Sequence, residues 1–348
     1  MSAVVRSGRC ILGPEVEAFE REFAAYLGIE HVVSVGSGTD ALILALKARG
    51  LPAGGEVVTS PFTFAATASS IVQAGLRPVF ADIDRDTLCL DPEAVAAALT
   101  NRTVGLLPVH LFGAVADMPA FRHLAESRAL FLLEDAAQAC GSHLEGRAAG
   151  TWGDAGCFSF YPTKNLGAAG DAGVVATSDP ALAERIRLLR GHGAARRFEH
   201  LEVGGTHRMD ALQAAVLRVK MPRLATWLAD RERIAETYLE ALTGTDFVLP
   251  TRAPGRTWNL FSLQHPDRDA VVEHLRARGV GTEIYYPRPL HLQPCFASLG
   301  YGPGSFPVAE SVAARIFSLP LWPELSQTRV ARVLEALVSF GRRVPRRT

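Results

Sequence analysis

Apolar residues recur along the first half of this chain with two alternating periods. In residues 14–27, PEVEAFEREFAAYL, Val16, Phe19, Phe23 and either Tyr26 or Leu27 fall on one helical face, and Gly28 stands where such a helix stops. Short apolar runs of strand character lie at 31–35, 56–60, 77–83, 103–111, 129–133, 156–160 and 173–177. Helical patterns with start signals sit between them. Asp91-Pro92 sets an N-cap before a proline, Asp117 precedes MPAFRHLAESR, and Ser178-Asp179-Pro180 opens a helix through Arg190. Strand and helix therefore alternate to about residue 190, which predicts an α/β fold with a mostly parallel central sheet.

The pattern then changes. Residues 191–208 are polar and glycine-rich, long enough for a functional loop. A helical stretch over 209–242 is expected to kink at Pro222. After it the pattern reads strand 260–264, helix 269–278, strand 280–286, a proline-rich loop 287–307 and two helices. At 348 residues the chain exceeds one usual core. We expect a large α/β domain over 1–208 and a smaller α+β domain over 209–348, with 342–348 as a solvated basic tail.

Composition narrows the class. Net charge is zero, which disfavours broad nucleic-acid binding. No apolar run is long enough to span a membrane, and the first residues lack a signal-peptide core. Five scattered cysteines without CxxC spacing point to a reducing cytoplasm, with neither a disulfide frame nor a metal site. The basic residues are lopsided: of 36 Lys plus Arg, only Lys47, Lys164 and Lys220 are lysine. Lys47 and Lys220 lie in helical patterns. Lys164 follows a strand, among small residues, where it is either a solvated loop lysine or an amine kept because arginine cannot lose its proton.

Candidate chemistry gathers at strand ends. The run 129–133 delivers Glu134 and Asp135, and the run 156–160 delivers Ser159, Tyr161 and Lys164. Ligands of open α/β sheets bind outside the carboxyl ends of the strands. Gly36-Ser37-Gly38-Thr39 turns a strand into a helix, and its free N–H groups suit either a phosphate dianion or a plain capped turn. Pyridoxal phosphate (PLP) would find a candidate here for each of its groups. Gly38, Thr39 and Ser159 would take its phosphate, Asp135 would hold the proton on its ring nitrogen, and Gln138 would donate to its ring hydroxyl. Phe64 would stack on its face, and Lys164 would bond its aldehyde and move protons.

These residues carry a resemblance. GSGTDAL (36–42), PFTFAATA (61–68), PVHLFG (108–113), EDAAQACG (134–141), GDAGCFSFYPTKNLGAAGDAG (153–173), RMDALQAA (208–215) and the Tyr-Pro-x-Pro-x-His-Leu-Gln of 286–293 are similar to the DegT/DnrJ/EryC1/StrS family. The likeness runs from about residue 7 to 337. It implies a fold type I sugar aminotransferase that cycles between PLP and pyridoxamine 5'-phosphate. It also implies a homodimer with shared active sites, a nucleotide-sugar substrate, and L-glutamate or glutamine as donor. The keto-6-deoxyhexose implied leans to a dTDP-linked 3-keto sugar. A 4-keto-sugar or cyclitol-type aminotransferase and a PLP-dependent sugar dehydratase are the alternatives, the last opposed by lysine at 164. The likeness gives Arg208 the donor's carboxylate and sets Tyr161, Tyr286 and His291 near the substrate. Thr206 stands where the family usually has an asparagine on the phosphate, with His207 beside it. Cys140 and Tyr285 stand where histidines are common.

Overall fold

The computed structural model describes residues 1–341; the basic tail at 342–348 lies outside the described residues. The first unit runs α1 (Ser2–Ser7), α2 (Pro14–Leu27), β1 (His31–Val35), α3 (Gly38–Arg49), β2 (Glu56–Thr59), α4 (Ala65–Gln73), β3 (Arg77–Phe80), α5 (Pro92–Ala98), β4 (Thr103–Leu107), α6 (Met118–Arg128) and β5 (Phe131–Asp135). A small hairpin, β6 (His143–Leu144) with β7 (Arg147–Ala148), precedes β8 (Ala155–Ser159), β9 (Gly173–Thr177) and α7 (Pro180–Arg190). Seven strands form one sheet in the order β1-β9-β8-β5-β4-β2-β3. Strand β9 runs antiparallel to both neighbours, and the other pairs are parallel.

Local chemistry explains these elements. Helix α2 starts at Pro14 with Glu15 and Glu17 in its first turn, where the helix dipole favours acids, and stops at Gly28 in the left-handed region. It buries Val16, Phe19, Phe23 and Leu27, and Phe19 and Phe23 pack edge-on against Phe158 or Phe160 of the β8 region. Tyr26 stays largely exposed, so Leu27 completes the stripe. Helix α3 is apolar nearly all round because it is buried among β8, β9, α4 and α7. The Ser37 hydroxyl caps it, accepting from the Asp40 N–H at 3.0 Å.

Residues 191–208 are not one plain loop: they hold a hairpin, β10 (Ala194–Arg196) and β11 (Glu199–His200). The helical stretch breaks at Pro222 as expected, into α8 (Ala211–Lys220) and α9 (Leu224–Leu242) joined by a 3-10 turn, Met221–Arg223. Helix α8 packs on α2, and its buried face joins Phe19, Phe23 and Phe160 in one apolar cluster. The rest comprises β12 (Phe261–Gln264), α10 (Arg268–Arg276), α11 (Pro307–Arg315), β13 (Ile316–Leu319) and α12 (Gln327–Gly341). Two sequence readings fail here. Residues 316–319, Ile-Phe-Ser-Leu, form a strand pairing with β12, although so short a run directly after a helix carries no clear strand period. The strand expected at 280–286 is reduced to a single bridge, Glu283 to Ser318. Pro287 and Pro289 cannot donate to a ladder, and Ile284, Tyr285 and Tyr286 instead pack against the core built on β2–β4, which also takes in Phe296, Phe306 and Ile316.

Strand β5 separates the two carboxylates that its sequence sets side by side, because successive side chains point to opposite faces. Glu134 is fully buried and accepts four hydrogen bonds: from the N–H groups of Gly150 (2.8 Å), Trp152 (2.7 Å) and Gly153 (2.7 Å), and from His110 Nε2 (2.8 Å). The His110 ring is oriented by its Nδ1, which accepts from the Ala116 N–H at 3.1 Å, so Nε2 carries the proton. Glu134 thus builds the turn between β7 and β8. Replacing it by alanine leaves these donors without an acceptor, and we expect a loss of about 3 kcal/mol or more. Urea denaturation of Glu134→Ala against the parent checks this; an unchanged midpoint would contradict the role.

Candidate active site

Three strands end together. Val35 pairs with Gly173, Gly173 with Ser159, and Asp135 lies beside Cys157 on the same edge. Asp135 is buried at 5% exposure. Its Oδ2 accepts from Thr67 Oγ1 at 2.8 Å, and its Oδ1 from the Ala137 N–H at 3.1 Å. Thr67 in turn meets Thr63 Oγ1 at 3.0 Å. Burial pushes the Asp135 carboxyl above its ordinary value, while Thr67, the Ala137 N–H and Lys164 pull the other way. Burial lowers Lys164 below the usual lysine value, opposed by the attraction of Asp135. The amine and the carboxylate therefore share one electrostatic environment, each partly stripped of water.

The loop carrying Lys164 is braced from three sides. The Lys164 N–H donates to the Tyr161 carbonyl at 2.8 Å and the Ala168 N–H to the Phe160 carbonyl at 2.7 Å. Asn165 Nδ2 donates to Thr257 Oγ1 (3.2 Å) and to the Cys140 carbonyl (3.4 Å). Lys220 Nζ, at the end of α8, donates to the Gly167 carbonyl and sits over the Trp227 ring. Sequence reasoning missed Asn165, Thr257 and Lys220. Only Lys220 leaves a signal, as one of three lysines, and its helical pattern does not point to the Lys164 loop.

Gly38 opens α3 directly against Ser159. A Cβ on Gly38 would lie 2.7 Å from Ser159 Cβ, so only glycine lets this helix start come so close. Thr39 lies in the same first turn, half-buried. Behind it, the Gly36 N–H donates to the His207 carbonyl at 2.9 Å, and His207 Nδ1 meets Asp40 Oδ1 at 2.7 Å. Thr206, next along the loop, is exposed and turned elsewhere: its Oγ1 meets His192 Nε2 at 2.8 Å. Arg208 is half-buried, and its Nε is buried without a partner among the described residues.

Gln138 is buried and uses both ends of its amide. The oxygen accepts from the Phe112 N–H at 2.8 Å, and the nitrogen donates to Tyr286 Oη at 3.0 Å. One N–H of that amide remains. Tyr286 arrives from the C-terminal part and lies among Phe62, Phe64 and Phe112, with ring centroids 6.0, 6.3 and 6.5 Å away. Phe62 is buried in the core, whereas Phe64 is 59% exposed and presents its ring outward. Tyr161 is exposed, and its N–H donates to Ser159 Oγ at 3.3 Å. His291 is turned into packing: it is 1% exposed, lies 4.8 Å from the Phe306 ring and meets Glu310 Oε1 at 3.0 Å.

The structure thus groups Asp135, Gln138, Lys164, Phe64 and Tyr286 on one side and Gly38, Thr39, Ser159 and His207 on the other. Thr206 Oγ1 and His291 Nε2 are each taken by another protein group, His192 and Glu310, while His291 Nδ1 is buried without a partner among the described residues. These donors fit PLP: a helix start cleared by Gly38 and flanked by the Ser159 hydroxyl suits a phosphate, and a buried carboxylate with an amine suits a basic ring nitrogen and an aldehyde. Among the described residues no helix is long and apolar enough to cross a membrane.

Comparison with known proteins agrees. The model of the DegT/DnrJ/EryC1/StrS aminotransferase family matches residues 1–338. The chain is 48% identical over 338 residues to the erythromycin biosynthesis sensory transduction protein EryC1 of Saccharopolyspora erythraea, covering 96% of this chain and 92% of that one. It is 44% identical over 347 residues to the dTDP-3-amino-3,4,6-trideoxy-alpha-D-glucose transaminase of Streptomyces venezuelae, covering 99% and 92%. The crystal structure of S. venezuelae DesV in complex with a ketimine intermediate matches with a TM-score of 0.96 and 44% identity, covering 99% of this chain and 94% of that one. The α/β fold is the one these PLP-dependent aminotransferases share. With sheet, site and likeness in agreement over almost the whole length, the chain is an aminotransferase of the DegT/DnrJ/EryC1/StrS family.

Proposed function

We propose that this enzyme moves an amino group from L-glutamate or glutamine to a nucleotide-linked keto-6-deoxyhexose, a dTDP-3-keto sugar before others, in deoxyaminosugar biosynthesis. The observation that carries the chemistry is that buried Asp135 and the Lys164 amine, delivered by the neighbouring strands β5 and β8, act on each other's charge at one sheet edge. The preference for a 3-keto sugar rests on relatives named for 3-amino products.

When bound, PLP supplies a carbonyl that exchanges for an amino group and a ring that accepts the electron pair released at the substrate carbon. Asp135 keeps the ring nitrogen protonated. Lys164 Nζ, in its unprotonated form, would take the proton from the donor's α-carbon and give it back on the cofactor's side of the exchange. Gly38, Thr39 and Ser159 hold the phosphate, the free N–H of Gln138 reaches the ring hydroxyl, and Phe64 covers the ring face. Arg208 Nε, buried without a partner, takes the donor's carboxylate. Donor and sugar use the same site in turn, which is a ping-pong order. Tyr161 and Tyr286 line the sugar's approach, and His291 supports that wall from behind. We assign the working form to a homodimer with shared sites. The hairpin beside Thr206 supports this by exposing Phe198, Leu201 and Val203, with Val203 99% exposed. Thr206 is there to reach the partner's phosphate site.

PLP-loaded protein should lose visible absorbance on adding glutamate or glutamine and form a stoichiometric amount of the 2-oxo acid. Lys164→Ala should lower turnover at least about a thousandfold; near-normal turnover in that variant would remove Lys164 from the mechanism. Mass analysis of products from a panel of 3-keto and 4-keto nucleotide sugars tests the substrate, and amination of 4-keto sugars alone would reverse the preference. Gly38→Val should weaken PLP retention about tenfold or more in equilibrium dialysis; parent-like retention would argue against the phosphate cradle.

A further inference from the structure

We infer that Thr67, steered by Thr63, is a positioning residue that holds Asp135 as an oriented anion for the cofactor's ring nitrogen. The inference rests on the proposed role of Asp135. It starts from the segment PFTFAATA, whose Phe64 is assigned to the ring face and whose threonines reach Asp135. Phe64 is the N-cap of α4, and Thr63 and Thr67 stand four residues apart on either side of that start, so their hydroxyls meet at 3.0 Å.

Proton counting sets the direction of this chain. An ionised carboxylate only accepts, and each threonine hydroxyl has one hydrogen. Thr67 spends its hydrogen on Asp135 Oδ2 at 2.8 Å. Thr63 must then be the donor to Thr67 Oγ1. Thr63 and Thr67 are 3% and 1% exposed, so water does not replace either bond. Asp135 Oδ1 is taken in the same way by the Ala137 N–H. With one donor on each oxygen, the carboxylate cannot rotate, and one lone pair on each oxygen remains for the cofactor. The same helix start thereby supplies the aromatic face through Phe64 and the grip on Asp135 through Thr67.

Wild type, Thr67→Val, Thr67→Ser and Thr63→Val, each loaded with PLP, test this by equilibrium dialysis and visible spectra. Thr67→Val keeps the shape and removes the donor, and should bind PLP about tenfold or more weakly. Thr67→Ser should stay within about threefold of wild type, and Thr63→Val, which leaves the Thr67 donation in place, should lie between. The pH midpoint of the cofactor's visible band should rise in Thr67→Val, because a more basic Asp135 draws the proton from the ring nitrogen. Lys164, His110, Cys157 and Tyr286, the other titratable groups acting on or influenced by Asp135, are unchanged across the set. Affinity of Thr67→Val within about twofold of wild type, serine as weak as valine, or an unmoved midpoint would overturn the inference. Should Thr67→Val not fold, Thr63→Val decides, and unchanged affinity there overturns the relay. Wild-type protein that binds no PLP would instead overturn the reading of the site, and this inference with it.

Discussion

A carboxylate buried in the middle of an apolar sheet edge is the constraint around which this molecule is arranged. Burying an unpaired charge is prohibitive, so Asp135 has to be met by donors and an opposite charge. The protein supplies the Thr67 hydroxyl, the Ala137 N–H and the nearby Lys164 amine. Each comes from a different element: α4, the turn after β5, and the loop after β8. Holding those elements in register is the task of the parallel strands, whose carboxyl ends all open on one side.

The pleat of β5 divides labour between neighbours in sequence. Asp135 faces the site, and Glu134, one residue earlier, faces the turn at 150–153 and saturates four donors. Both are buried acids, but their surroundings separate them. Glu134 has every neighbour it needs within the protein, as a structural group does. Asp135 keeps a lone pair on each oxygen in reserve near the Lys164 amine, as the role proposed for it requires.

The C-terminal part contributes to the site although Asp135 and Lys164 both come from the large sheet's strand ends. Tyr286 crosses to Gln138, Thr257 bonds Asn165, and Lys220 holds the Gly167 carbonyl. Two of these three contacts act on the loop bearing Lys164, so the amine is placed by residues far along the chain. Such bracing matters for the role proposed for Lys164, because a reacting amine displaced by a small distance loses much of its effect.

Much of this was legible in the amino-acid order. Alternating periods, capped helix starts and the lysine-poor composition located the α/β fold, the strand ends and Lys164, because periodicity, capping and strand-end chemistry are local properties. Gly38, Asp135 and Ser159 could be placed at a helix start and at strand ends for the same reason. What remained hidden depends on pairs distant in sequence. The Thr67–Asp135 bond spans 68 residues, and Asn165–Thr257 spans 92. The strand at 316–319 exists only because β12 lies beside it, and Ile284, Tyr285 and Tyr286 pack inward where a strand was expected, because the core cluster on the large sheet takes them in. Sequence by itself determined which groups reach the sheet edge. Only the tertiary structure decided which of them keep a free hand there, since that depends on who else is close enough to bond them.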